Sequence, residues 1–205
     1  GVAFGTTDGK TSYVPIDNDV LLAQGLTLGT FKEIFGRVLE HKKPIKCGYD
    51  TKYMKHVFAN VGINLAGVSD DVMLESYVLE AHRSHTIEKL AANWLKYELR
   101  GEEELLGKGA KKLSFSQVSV EKAAEFASER VFIVSRLNRL FKKALSDDAK
   151  LEKIYRDIEM PLSDVLFKME QNGVLIDTKL LDQQTAQLNT KARELEEQAF
   201  EVAGE

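Results

Sequence analysis

An α/β domain followed by a purely helical segment is the fold class that this sequence predicts, and three observations predict it. Short apolar runs bounded by turn residues alternate with stretches of helical periodicity as far as Leu95. Beyond that point only helical patterns remain. Near the C-terminus, Leu181, Leu188, Ala192, Leu195, Ala199 and Val202 form a long, narrow stripe, as in a helix that packs lengthwise against one neighbour. A chain of 205 residues can hold one domain of common size plus an appendage, or two small domains.

The elements follow in order. Val2–Phe4 and Ser12–Ile16 read as two strands of a β-hairpin around Thr7-Asp8-Gly9-Lys10. Thr30 can cap a helix that carries Phe31, Ile34, Phe35, Val38 and Leu39 and stops before His41-Lys42-Lys43-Pro44. Ile45–Gly48 reads as a short buried strand, Thr51–Asn60 as a helix closed by Val61-Gly62, and Leu65–Val68 as strand-like. A helix over Asp71–Glu80 presents Val72, Leu74, Tyr77 and Val78, and another over Thr86–Leu95 turns Leu90, Ala91 and Trp94 inward. Ser119 can cap a long helix from Val120 to about Leu145, with Ala123, Ala127, Val134, Leu137 and Phe141 about one turn apart. Ser146-Asp147-Asp148-Ala149-Lys150 is the linker candidate, dividing a domain at 1–150 from a segment at 151–205. Pro161 then sits near the start of a helix with Leu162, Val165, Leu166 and Met169 that ends at Gly173, and Asp177 can cap the last helix.

Composition narrows the function. Hydrophobic residues at 43% and charged residues at 29% exclude extended disorder. A net charge of −4 gives no global attraction to nucleic acid, so such binding needs a local basic patch or a larger parent protein. Cys47 is the one cysteine and cannot form an internal disulfide; with no signal peptide or long apolar run, a reducing, cytoplasmic setting without a membrane is expected. The start at Gly1-Val2-Ala3-Phe4 suggests a fragment of a longer chain. His41, His56, His82 and His85 share no metal-ligand spacing with a Cys pair, which disfavours zinc.

Colinear motifs point to one family. Lys46-Cys47-Gly48-Tyr49-Asp50-Thr51-Lys52-Tyr53 leads into Phe58-Ala59-Asn60-Val61-Gly62-Ile63, then Asp71-Val72-Met73-Leu74-Glu75-Ser76-Tyr77 and Leu90-Ala91-Ala92-Asn93-Trp94-Leu95. Gly107–Phe115, Ile158-Glu159-Met160-Pro161-Leu162 and Asn172-Gly173-Val174-Leu175-Ile176-Asp177 follow. In this order they resemble bacterial DNA polymerase I, the family A polymerases, over nearly the whole chain. The resemblance implies a ribonuclease H-like 3′→5′ exonuclease domain, a mixed sheet flanked by helices, running into the opening helices of the polymerase thumb.

In active relatives, the resemblance implies, four carboxylates bind two divalent cations about 4 Å apart for in-line hydrolysis of the terminal phosphodiester. Two of them form an Asp-x-Glu pair on a strand that would precede Gly1. The next motif is Gly-x-Asn-x-x-x-Asp; here Asp50 stands at the Asn position and Met54 at the Asp position. In Ala124-Glu125-Phe126-Ala127-Ser128-Glu129-Arg130, a Tyr position holds Phe126 and an Asp position holds Arg130. Thioether, phenyl and guanidinium groups are unsuited to Mg²⁺ or Mn²⁺. Catalytic positions are therefore expected to be degenerate at Asp50, Met54, Phe126 and Arg130, with no metal bound.

Each of these residues also has a plainer reading. Asp50 and Asp71 read as helix caps, and Met54 and Phe126 as apolar packing. Arg130 pairs with Glu129, Asp50 or Asp71, or touches a phosphate. Lys108, Lys111 and Lys112 form a basic loop that either contacts a single-strand DNA backbone or is solvated. Tyr53 and Trp94 read as core rather than base-stacking platforms.

The expected function is thus that of a DNA polymerase I fragment whose proofreading domain is inactive. It would be a structural or DNA-binding scaffold for template-directed synthesis by the parent chain, with no cofactor of its own and Mg²⁺ or Mn²⁺ serving the parent polymerase. The expected partners are DNA and the remainder of the polymerase. Two rivals stand beside it: an active two-metal exonuclease using the upstream Asp-x-Glu with Asp50, and a non-catalytic nucleic-acid-binding module.

Overall fold

The computed structural model describes residues 1–16, 25–109 and 112–204. It divides into two compact units, Gly1–Lys168 and Met169–Glu205. The expected hairpin forms from β1 (Val2–Gly5) and β2 (Thr11–Val14), in register from Val2↔Val14 to Gly5↔Thr11. Its turn closes when the Gly9 N–H donates to the Thr6 carbonyl at 2.9 Å, with Gly9 at φ +87°.

Helix α1 spans Leu28–Glu40, one turn earlier than the sequence suggested. The cap is Thr27, whose hydroxyl accepts the Thr30 N–H at 3.1 Å; Thr30 is inside the first turn. Phe31 and Phe35 from this helix stack with Phe4 of β1, at centroid distances of 5.0 Å between the two and 5.1 Å from Phe35 to Phe4. Phe31, Leu39, Phe58, Ile63 and Leu65 form the first core.

A parallel pair, β3 (Lys46–Gly48) and β4 (Val68–Asp71), carries the site. Antiparallel and parallel pairing thus occur in separate two-stranded sheets among the described residues. Both strands depart from expectation. Ile45 is 69% exposed, Cys47 is also exposed, and the second strand starts only after Gly67. Gly67 explains the shift: at φ +70°, a Cβ there would lie 2.4 Å from the Lys42 carbonyl oxygen. The chain turns sharply where no side chain fits, and the ladder begins beyond it.

Helix α2 (Thr51–Asn60) has the expected bounds, and α3 (Val72–Leu79) follows β4 without a loop. Helix α4 (Ile87–Leu90) continues as a π turn over Ala91–Leu95, and the short α5 covers Glu102–Leu106. Helix α6 (Val120–Ser146) is capped by Ser119, which accepts from the Lys122 N–H at 3.4 Å. It packs on β1, β2, β3 and α3. Its Ile133, Leu137 and Phe141 join Val72, Ile87, Leu90, Ala91 and Leu99 in the second core, where Trp94 meets Phe141 edge-on at 4.9 Å. Burial of each such large side chain stabilises by about 1.5–3 kcal/mol.

The expected linker is a tight joint. Helix α6 runs through Ser146, and Asp148 caps α7 (Ala149–Ile154) by accepting from Lys150 N–H at 2.9 Å. A π turn over Tyr155–Glu159 leads directly into α8 (Met160–Asn172), with Pro161 near its start as expected. The widened turn before Pro161 accommodates a residue that has no N–H to donate. Gly173 at φ +70° ends α8, and Asp177 caps α9 (Thr178–Ala203), accepting from Leu180 N–H at 3.1 Å. Among the described residues, no helix is long and apolar enough to cross a membrane.

Candidate functional site

The C-terminal end of β4 gathers the densest set of buried polar side chains. Asp70 and Asp71, each 1% exposed, are consecutive in a strand and so face opposite ways. Asp71 faces two helix starts. Its Oδ2 accepts from Thr51 N–H at 2.6 Å and Thr51 Oγ1 at 2.8 Å; its Oδ1 accepts from Asp50 N–H at 3.2 Å and Met73 N–H at 2.9 Å. One carboxylate therefore satisfies the first N–H groups of both α2 and α3, where helix dipoles favour negative charge.

Asp70 faces the cations of the helical layer. Lys142 of α6 lies 2.6 Å from Oδ2 and Arg156 of the π turn 2.9 Å from Oδ1, while Ser69 donates its hydroxyl to Oδ2. Burial would raise the Asp70 pKa, but Lys142, Ser69 and Arg156 together hold it below the ordinary value. One turn along α3, Glu75 is fully buried and accepts from Asn138 Nδ2 at 3.0 and 3.2 Å. Burial, with the Asp70 charge beside it, pushes the Glu75 carboxyl up to about 8. This favours its protonated form near neutral pH. Tyr155, also fully buried, accepts the Asp71 N–H at its hydroxyl at 2.9 Å, and burial followed by the nearby Glu75 raises its pKa.

Over this layer opens a shallow cleft lined by Asp50, Lys52, Met73, Leu74, Leu162 and Leu166. Asp50 sits at its rim in a left-handed conformation, φ 52° and ψ 61°, and caps α2 by accepting from Tyr53 N–H at 3.3 Å. Met54 lies half-buried against the first core, and its sulfur would be 2.8 Å from a Cβ placed on Gly48. Only glycine lets the thioether approach the strand so closely. Tyr53, expected in the core, is 65% exposed, because it lies on the side of α2 away from Phe58.

Phe126 and Arg130 are together on α6. The Arg130 guanidinium lies 3.5 Å from the Phe126 ring centroid, and its Nη2 donates to Glu88 at 2.8 Å. Burial lowers the Arg130 pKa, with Glu88 opposing that effect. The partner is thus a carboxylate on α4, not Glu129, Asp50 or Asp71. Glu129 instead accepts from Tyr97 at 2.6 Å and pairs with Arg100 at 3.2 Å, and Asp71 is filled by backbone donors. Phe126 is 7% exposed.

The basic loop is partly acidic in three dimensions. Lys108 pairs with Glu103 at 2.6 Å, in a hollow also lined by Glu88, Glu102 and Glu104. Lys112 is exposed, and Lys111 lies outside the described residues. At Asp50, Met54, Phe126 and Arg130, the positions singled out by the resemblance, the groups present are a helix-capping carboxylate, a thioether, a phenyl ring and an ion-paired guanidinium. The thioether, phenyl and guanidinium groups do not fit a hard divalent cation. Among the described residues, no three His, Cys, Asp or Glu side chains are placed to hold a metal ion.

Sequence reasoning missed Asp70, Glu75, Glu88, Asn138, Lys142, Tyr155 and Arg156 as site members. One local signal existed: Glu75 sits on the inward face of α3, beside Val72 and Ser76.

The family described as "DNA polymerase I, ribonuclease H-like domain" matches residues 4–137. The chain is similar to DNA polymerase I of Pseudomonas aeruginosa, 36% identical over 209 residues, covering 100% of this chain and 23% of the relative. It is also similar to DNA polymerase I of Synechocystis sp., 30% identical over 211 residues, covering 100% of this chain and 20% of the relative. The chain thus spans about a fifth to a quarter of the length of these relatives. Among solved structures, the POL domain of Pol1 from M. smegmatis in complex with DNA primer-template and dNTP has a similar fold, with a TM-score of 0.72. That match has 24% identity over 99% of this chain and 30% of the other.

Proposed function

The chain belongs to the DNA polymerase I family, whose ribonuclease H-like domain it carries, and from that premise we propose that this domain has lost proofreading hydrolysis. It serves as a non-catalytic scaffold beside a template-directed polymerase. In this reading residues 1–150 are the exonuclease-like domain and residues 151–205 begin the polymerase thumb. DNA and the remainder of the polymerase are its partners, in the cytoplasm. Mg²⁺ or Mn²⁺ serves synthesis by the full chain.

The observation that supports this most is the pairing at Arg130. A permanent cation rests on the Phe126 ring and on Glu88, at the position where the resemblance implies a metal-binding acid. Met54, on another helix, is packed against Gly48. Recovering one site would leave the other defective. A contribution of Lys108 to DNA contact would require exchange of Glu103 for a phosphate.

The test uses the full-length polymerase and a 3′-labelled single strand. We expect primer extension with Mg²⁺ but no shortening with Mn²⁺ above a chelator control. Mn²⁺-dependent shortening that Asp50→Asn abolishes would overturn the reading and support the rival that uses an upstream Asp-x-Glu pair.

A further inference from the structure

The outward face of α6 changes sign along its length. Glu121, Glu125 and Glu129 lie in its first half, whereas Phe132, Arg136, Arg139, Leu140 and Lys143 follow on the exposed face of the second half. Arg136, Arg139 and Lys143 succeed one another at helical spacings of three and four residues, so they span about 10 Å along the axis. Arg136 lies over the Phe132 ring at 5.7 Å, and none of the three cations has an ion pair among the described residues. Other cations of the same layer are neutralised, Arg100 and Arg130 by glutamates and Lys142 and Arg156 by Asp70. The helix dipole accounts for Lys143 alone, because its influence fades beyond the last turn.

Unpaired cations at roughly phosphate spacing, beside an aromatic ring that is 41% exposed, are the combination that binds single-stranded nucleic acid. Cations hold the backbone and the ring offers a face to a base. We infer that the second half of α6 is a contact surface for a single strand, with Arg136, Arg139 and Lys143 on phosphates and Phe132 under a base. The choice of nucleic acid as partner rests on the polymerase reading given above; the surface itself is independent of whether the domain hydrolyses DNA.

The experiment measures binding of the full-length polymerase to a primer-template with a long unpaired overhang and to a blunt duplex, across a salt series. The variant is Arg136→Gln/Arg139→Gln/Lys143→Gln. Its control, Arg37→Gln/Lys42→Gln/Lys43→Gln, removes three other exposed cations. Glutamine keeps helix propensity, so both should fold, which circular dichroism checks. For the overhang substrate we expect about tenfold weaker binding and a salt slope smaller by about 2, as three single-strand phosphates imply. Blunt duplex binding should match the control. Phe132→Ala should weaken overhang binding about fivefold without changing the slope. Equal losses on both substrates, or none beyond the control on either, overturn the inference. Exonuclease activity plays no part in this readout, so its presence would leave this result standing while overturning the scaffold reading.

Discussion

The Asp71 backbone N–H donates to the Tyr155 hydroxyl at 2.9 Å, across 84 residues of sequence, with both residues almost fully buried. This bond joins the π turn after α7 to the end of β4, at the residue whose carboxylate holds the starts of α2 and α3. Tyr155→Phe removes the acceptor while keeping the ring. It should cost about 1–3 kcal/mol by leaving a buried N–H unpaired, read as a lower urea midpoint with an unchanged slope.

Thr51 is 1% exposed, and both its N–H and its hydroxyl donate to Asp71 Oδ2. Thr51→Val keeps the shape and loses one donor to a buried carboxylate. A loss of about 1–3 kcal/mol is expected, with faster hydrogen exchange in the first turn of α2. If exchange there is unchanged, Asp71 does not organise that helix start.

Glu75 makes stability depend on pH with an identifiable sign. Its carboxyl rises from an ordinary 4.5 to about 8 in the folded chain. Below pH 4.5 both states are protonated and there is no penalty. Between 4.5 and 8 the unfolded chain releases the proton and the folded one keeps it, so stability falls by up to about 1.4 kcal/mol per pH unit. The groups facing it are Asp70 from β4, Cys47 from β3, Lys142 from α6, and Tyr155 and Arg156 from the π turn. Glu75→Gln should remove this contribution. Melting at pH 5 and pH 8 should show the variant gaining on the parent at the higher pH; parallel curves would refute it.

Introducing acids at Met54 and Arg130 should harm the fold. Met54→Asp puts a carboxylate against the first core, and Arg130→Asp places one on the Phe126 ring beside Glu88. Each should cost about 1–3 kcal/mol, measured by urea denaturation. A stable double variant would show that these positions still tolerate acids.

Locally determined features were legible in the sequence. Asp50, Asp71, Ser119 and Asp177 cap the helices assigned to them, because a cap needs only one side chain and the next few N–H groups. The cluster behind the site was not, since Glu75 meets Asn138 63 residues away and Arg156 reaches the Ser69 carbonyl 87 residues away. Arg130 illustrates both cases: its identity at a family position was readable, but its partner Glu88 lies 42 residues upstream on a short helix. Tyr53 was misread because periodicity gives the spacing of a helix face and not which face turns inward.

The π turn at Tyr155–Glu159 also sets an angular phase. Deleting one residue from it would rotate the chain beyond by about 100° and draw it back about 1.5 Å. Tyr155 and Arg156 would keep their places on β4, but Asp164 and Phe167 would swing away from Lys55 and His56, which they now meet. The direction in which α8 departs is thus indexed by a single residue, so a length change there acts as a rotation rather than a shortening.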